Sequence, residues 1–235
     1  MDNDFDENER FIQTKMAVSY DEMAYTLDSY GYTDKRPDKE TALKAIRALG
    51  PEMLQYIRGF IWPKIIMTPK ISLSFIKAKI DNNKKSPNQR DIFFNEPPSS
   101  NLWSPKPDSF MVTIVDGALI MPLLPPEIRK LTHGEMYNYI HEDYKRRGMK
   151  MISTREYMML IQQILPSYRF INNKDNIIMD PMHTTLFNCD HLKEIEMVIY
   201  GFWHLGDQKY KFLSDYPQVE EQYCYSRPSV MVMEF

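Results

Sequence analysis

Residues Asp81 to Ser109, DNNKKSPNQRDIFFNEPPSSNLWSPKPDS, hold five prolines and carry neither a helical nor a strand period, so no regular element runs unbroken through the middle of the chain. The rest must fold as stretches joined by an extended connector. A bare linker has no use for large aromatics in a row, yet Ile92, Phe93, Phe94, Leu102 and Trp103 stand among the turn residues. Phe93, Phe94 and Trp103 therefore read as anchors onto another surface, either the remainder of this chain or a second copy of it. Sixteen prolines against eight glycines in 235 residues predict many short, punctuated elements, and 43% hydrophobic content is enough for a core, in one ordinary domain or two small ones. Seventeen methionines suit irregular core gaps and adaptable interfaces.

Local signals favour helices. Ser19 with Glu22, Thr132 with Glu135 and Ser153 with Glu156 each have the spacing of a capping box before an apolar run. From Ser19 the run places Met23, Leu27 and Tyr30 on one face and stops at Gly31. Asp38 can cap a second helix through Leu43 and Ile46, Pro51 opens a third that Pro63 ends, and Leu73, Ile76 and Ile80 mark a fourth after Pro69. Phe110 to Val115 reads as a strand that Asp116-Gly117 turns back into Ala118 to Leu124, a small hairpin. Leu192 to Leu205 fits a helix through Leu192, Ile195, Ile199 and Phe202, or a strand by alternation, and its length favours helix. Ser229 to Phe235 reads as a terminal strand in search of an edge. The expected class is mainly α: short helices with one small β-hairpin and a long Pro-rich connector. The expected segments are an acidic N-terminal arm (1–18), a small helical unit (19–80), the connector (81–109) and a hairpin plus helical main unit (110–235).

Net charge is −3, but unevenly spread: residues 1–34 hold nine acids and two bases, and residues 35–90 hold four acids and thirteen bases. An acidic arm thus precedes a basic block. The block, with Tyr56, Phe60, Trp62 and Phe75 interleaved, suits RNA or an anionic membrane, a solvated face, or the acidic arm of another copy. The acidic N-terminus lacks the basic-then-apolar pattern of a signal peptide, and the apolar stretches fall far below the roughly 18 residues of a bilayer span. A chain made and kept in cytosol or nucleus is expected.

Enzyme signatures for nucleotide, nucleophile-elbow and zinc-protease chemistry are missing, and eight glycines leave little room for a phosphate-cradling loop, so no catalysis and no cofactor are expected. Cys189, His191 and His183 make only a partial metal set, because the other cysteine, Cys224, is remote and structural zinc takes four ligands. His133 and His141 read as surface or cap histidines. Lys145, Arg146, Arg147 and Lys150 crowd a helix C-terminus, where the dipole alone favours them. Fifteen tyrosines offer a pH response: Tyr137, Tyr139, Tyr144, Tyr216, Tyr223 and Tyr225 hydrogen-bond across contacts when neutral and gain charge above pH about 10.

A chain of this size, rich in Tyr, Met and Pro, with an acidic arm and neither signal peptide nor enzyme signature, resembles a viral occlusion-body protein, a nudivirus-type polyhedrin. Its helical signals set it apart from the β-rich baculovirus and cypovirus polyhedrins. The resemblance implies a protein that crystallises in the infected cell, in nucleus or cytoplasm, around virions, protects them and releases them at alkaline pH. Its partners would be itself and the occluded virions, with no nucleic acid. Under that reading the arm, anchored by Phe5, Phe11 and Ile12, exchanges onto a neighbour, and Cys189 and Cys224 are candidates for disulfide links. The alternative is a viral matrix protein or nucleoprotein that binds RNA or anionic membrane through residues 35–90.

Overall fold

Helix begins well before Ser19. In the computed structural model, which describes residues 2–82, 92–99, 103, 108–118, 131–164, 184–188, 197–204, 209–216, 218 and 224–235, α1 (Asp2–Phe11) runs through a π turn (Ile12–Met16) into α2 (Ala17–Ser29). Both residues flanking the π turn keep helical dihedrals, so the three pieces form one rod. Ser19 lies inside it, and its hydroxyl accepts the N–H of Ile65 at 2.7 Å. Its other expected partner, Glu22, reaches Lys64 instead. Gly31, at φ 66, closes the rod by the left-handed route open to glycine.

Short helices follow as the sequence reading expects: α3 (Lys39–Arg47), capped by the Asp38 carboxylate on Thr41 N at 2.8 Å, and α4 (Pro51–Arg58), opened by Pro51. Next come β1 (Pro63–Thr68), α5 (Leu73–Asn82), β2 (Ile92–Phe94), β3 (Met111–Asp116), α6 (His133–Arg146), β4 (Lys150–Met151) and α7 (Thr154–Ile164). The chain ends in β5 (Thr184–Leu186), β6 (Val198–His204), β7 (Lys209–Asp215), β8 (Cys224–Tyr225) and β9 (Pro228–Glu234). The Thr132–Glu135 capping box on α6 forms reciprocally, and Ser153 and Glu156 do the same at α7.

The fold is mixed α/β with two sheets, which corrects the expectation of a mainly α chain. A four-stranded antiparallel sheet runs β1-β3-β9-β4, and a five-stranded sheet runs β2-β7-β6-β5-β8 with β2/β7 and β5/β8 parallel. Pro63 starts β1 rather than merely ending α4. Ile65, Ile66 and Met67 of β1 are all fully buried, because α2 and α7 pack on the strand, so the alternation that would announce it is absent. The expected hairpin gives way to long-range pairing: β3 lies between β1 and β9, in register Pro63↔Asp116 on one side and Val115↔Ser229 on the other. Residues 119–124 lie outside the described residues. Asp116 is occupied elsewhere, accepting from the backbone N–H of Ile61, Trp62 and Ala118 at 3.1, 3.0 and 3.0 Å. Gly117 N–H donates to Trp62 O at 2.8 Å, and a Cβ there would come within 2.9 Å of the Trp62 ring. The Asp-Gly pair closes a contact between distant segments instead of a two-residue turn. Residues 198–204, part of the stretch read as helix, form β6 paired along its length with β7, from Val198↔Asp215 to His204↔Lys209. No helix among the described residues is long and apolar enough to cross a membrane.

Where it is described, the connector docks on its own chain. Phe94 in β2 stacks on Phe212 at 4.8 Å between centroids, and the wholly buried Trp103 meets Phe94 edge-on at 5.0 Å. Phe93 faces outward, 45% exposed. A second set of ties is polar. Arg227, 1% exposed, donates to Gly117 O at the end of β3 and to the Thr185 hydroxyl in β5, with its guanidinium 5.1 Å from the Tyr157 ring. One buried cation thus spans both sheets and α7. Arg155, also 1% exposed, donates to Ile71 O ahead of α5, and burial draws its pKa down to about 10.

Removing a fully buried indole leaves a cavity, and such losses run to about 3–5 kcal/mol. We expect Trp103→Ala to destabilise the chain by about that much in denaturant titration. A loss below about 1 kcal/mol would place the connector's aromatic off the core.

Candidate docking groove

The wide turn of the rod faces the loop between α4 and β1, and the two enclose an open groove of about 350 Å³. Phe11, Thr14, Lys15, Val18 and Glu22 form the rod wall; Arg58, Phe60, Ile61, Trp62 and Lys64 form the other. π turns recur at functional positions because the extra residue re-aims the side chains on either side. The second wall is fixed by the Asp116 and Gly117 contacts to Ile61 and Trp62. The groove is amphipathic. Val18 and Ile61 leave 53% and 55% of their surface open, whereas Lys64 is nearly buried, holding Glu22 at 2.5 Å with its ammonium 4.5 Å from the Trp62 ring centre.

Ion pairs along the rod answer part of the charge contrast seen in the sequence. Glu7 holds Arg58 and Glu9 holds Arg47 in a two-pronged pair, while Asp21 takes Lys39, Glu22 takes Lys64 and Asp28 takes Arg36. Five acids of residues 1–34 thus neutralise five bases of residues 35–90 within the same chain. The Arg47 guanidinium, helped by Gln13, holds the Glu9 carboxyl at about 2, and Arg36 likewise lowers Asp28. Lys15 on the groove wall has no carboxylate partner among the described residues. In the last turn of α6 and just past it, Arg146 and Arg147 share Asp143.

The residues singled out from sequence scatter over the surface and core. Ile12 is buried and Phe11 packs partly against the core, while Phe5 sits on α1 with its side chain outside the described residues. Cys189, His183, His191 and Tyr223 lie outside the described residues, and Cys224 opens β8 opposite Thr184, its side chain likewise undescribed. His133 is buried 4.9 Å from the Tyr200 ring, and His141 stacks on buried Tyr137 at 5.7 Å. Tyr139 and Tyr216 are exposed. Of the tyrosine set, Tyr144 and Tyr225 meet edge to face at 6.4 Å, with the Tyr144 hydroxyl donating to Ser226 O at 2.6 Å. Burial pushes Tyr144 well above the ordinary phenol value, and it also raises Tyr225, Tyr20 and Tyr32. The groove itself escaped the sequence reading. Val18 and Tyr25 stand seven apart on a helical face away from Met23 and Leu27, a readable signal once the helix is known to begin before Ser19.

Glu9 titrates lower in the docked rod than in an unfolded chain, so its pair supports docking above about pH 4.5 and is lost as pH falls toward about 2. We expect amide exchange in residues 2–11, corrected for intrinsic rates, to accelerate across that window, and E9Q to show the faster exchange already at neutral pH. Unchanged wild-type protection down to pH 2 would mean that the pair does not hold α1. Compared with protein-family models, curated proteins and solved structures, the chain matches none.

Proposed function

We propose that this chain is a structural, self-assembling protein of the kind that builds a viral occlusion body, packing copies of itself around virions in the infected cell. The observation that carries the reading is that five of the thirteen bases of the basic block are already paired with acids of residues 1–34. Arg36, Lys39, Arg47, Arg58 and Lys64 already hold carboxylates of their own chain. Polyanion binding needs such cations free to displace counterions from phosphates, so this favours self-assembly over a matrix protein or nucleoprotein. What the surface offers instead is apolar: Val18, Tyr25, Ile61, Phe75 and Phe93 are all more than 40% exposed on regular elements or tight turns.

The tyrosines supply an alkaline limit. Burial raises Tyr20, Tyr32, Tyr144 and Tyr225 above their unfolded value, so the folded chain keeps protons that the unfolded chain loses above pH about 10. Stability therefore holds up to that pH and then falls, as the unfolded phenols ionise before the folded ones.

The test is to express the untagged chain alone in insect cells, look for crystalline inclusions, and titrate them from pH 7 to 12. Inclusions that persist at neutral pH and dissolve above about pH 10 are the expected result. A soluble monomer retained on RNA or heparin, with affinity falling steeply as salt rises, would overturn the reading in favour of the matrix or nucleoprotein class.

A further inference from the structure

We propose that the groove between the rod and the loop after α4 binds a small amphipathic monocarboxylate, a medium-chain fatty acid anion whose charge pairs with Lys15 and whose hydrocarbon body covers Val18 and Ile61. This site stands or falls independently of self-assembly. The charge of the walls selects the head of the ligand. Lys15, Arg58 and Lys64 line the groove against one acid, Glu22. Glu22 holds Lys64 at 2.5 Å, and Glu7 holds Arg58, with the Asn8 side-chain oxygen accepting from the same guanidinium at 3.1 Å. Lys15 is the lining cation that has no carboxylate partner among the described residues. One positive charge is therefore left over, which suits a ligand with a single negative charge. A phosphate-like dianion would set its second charge against Glu22, and a cation would meet an acid already engaged by Lys64.

The surface left open selects the body of the ligand. Val18 on the rod wall and Ile61 on the opposite wall keep 53% and 55% of their surface exposed, and the aromatic rings of the groove are half-buried, packed against the core. Hydrocarbon laid between these walls removes apolar surface from water on both sides at once. A volume of about 350 Å³ lies near the lower end of the roughly 300–1,000 Å³ of small-molecule sites, so a medium chain fits better than a long one. The backbone gives a second, independent pointer. Lys15 belongs to the π turn, in which the Ala17 N–H reaches back five residues to Ile12 O. Such turns are rare and recur at functional sites, and this one brings Lys15 onto the same wall as Val18.

The test is calorimetric titration of the full chain with octanoate at neutral pH. One site per chain is expected, with a dissociation constant below about 1 mM. Octanol and octylammonium share the alkyl chain without the negative charge and bind about tenfold more weakly or less. Lys15→Glu weakens octanoate by about tenfold or more, whereas Lys145→Glu, which changes net charge equally on α6 outside the groove lining, leaves it unchanged. Val18→Trp fills the groove from an exposed position and weakens octanoate without altering the charges. Lys15 and Val18 are both exposed, so wild-type melting temperatures are expected for these variants and verify their fold. The absence of octanoate binding into the millimolar range overturns the site. Equal affinity for octanoate and octanol, or equal losses in Lys15→Glu and Lys145→Glu, overturns the pairing with Lys15. Octanoate binding that weakens as chain concentration rises gives the groove to a second copy and overturns the ligand.

Discussion

The arrangement of the molecule depends on one buried cation. Arg227 sits where β8 passes into β9, so it is held by both sheets, and several kcal/mol of desolvation cost must be offset by the groups around it. Burial lowers its pKa, while Tyr157, Asp116 and further tyrosines favour the charged form. Its bond to Gly117 O continues through Gly117 N–H to Trp62 O, and the adjacent Asp116 carboxylate receives the N–H of Ile61 and Trp62. The outer wall of the groove is thus the exposed end of a hydrogen-bonded chain that begins at the centre of the fold. Asp116 shows the same tension from the acid side: burial raises its carboxyl, opposed by three backbone donors and the Arg227 charge. A surface feature anchored to such a network is rigid, and rigidity lowers the entropy lost when the surface is covered.

Helical termini were legible in the sequence because their chemistry is local. Asp38 on Thr41, Pro51 at the head of α4, and the boxes at Thr132 and Ser153 each need only residues within one turn. Ser19 shows how the same signal misleads. Serine and glutamate three apart satisfy a local rule, but here the hydroxyl serves Ile65 and the carboxylate serves Lys64, both on a strand more than forty residues away in sequence. Phe110 to Val115 and Ser229 to Phe235 were legible as strands and form β3 and β9, whereas β1, β6 and the strand pairings were not, for the matching reason. Covered by α2 and α7, β1 has no polar face to alternate with, and β3 finds its neighbours at residues 63–68 and 228–234, which no short window connects. In β7 the alternation of Tyr210 and Phe212 with Lys211 and Leu213 was present in the sequence, and its buried side is set by contact with β6 and the connector's Phe94. The groove was hidden because it joins the rod to a loop that follows α4, a juxtaposition created by the sheet.

Charge patterning carried information of a kind that segment totals alone do not decode. A block with thirteen bases and four acids suggests an external polyanion only while the preceding acids are imagined as a loose arm. Folded as α1 and α2, those acids fall at helical intervals that meet Arg58, Arg47, Lys39, Lys64 and Arg36 in turn. Exposed pairs of this sort contribute about 0–1 kcal/mol each, so stability is not their main effect. Their effect is on range. Opposite charges a few ångströms apart cancel beyond about a Debye length, ~8 Å at physiological salt, leaving little long-range field from this face. On this face Val18, Tyr25 and Ile61 each keep more than half of their surface open, so what these pairs leave for a contact is short-range burial of apolar surface.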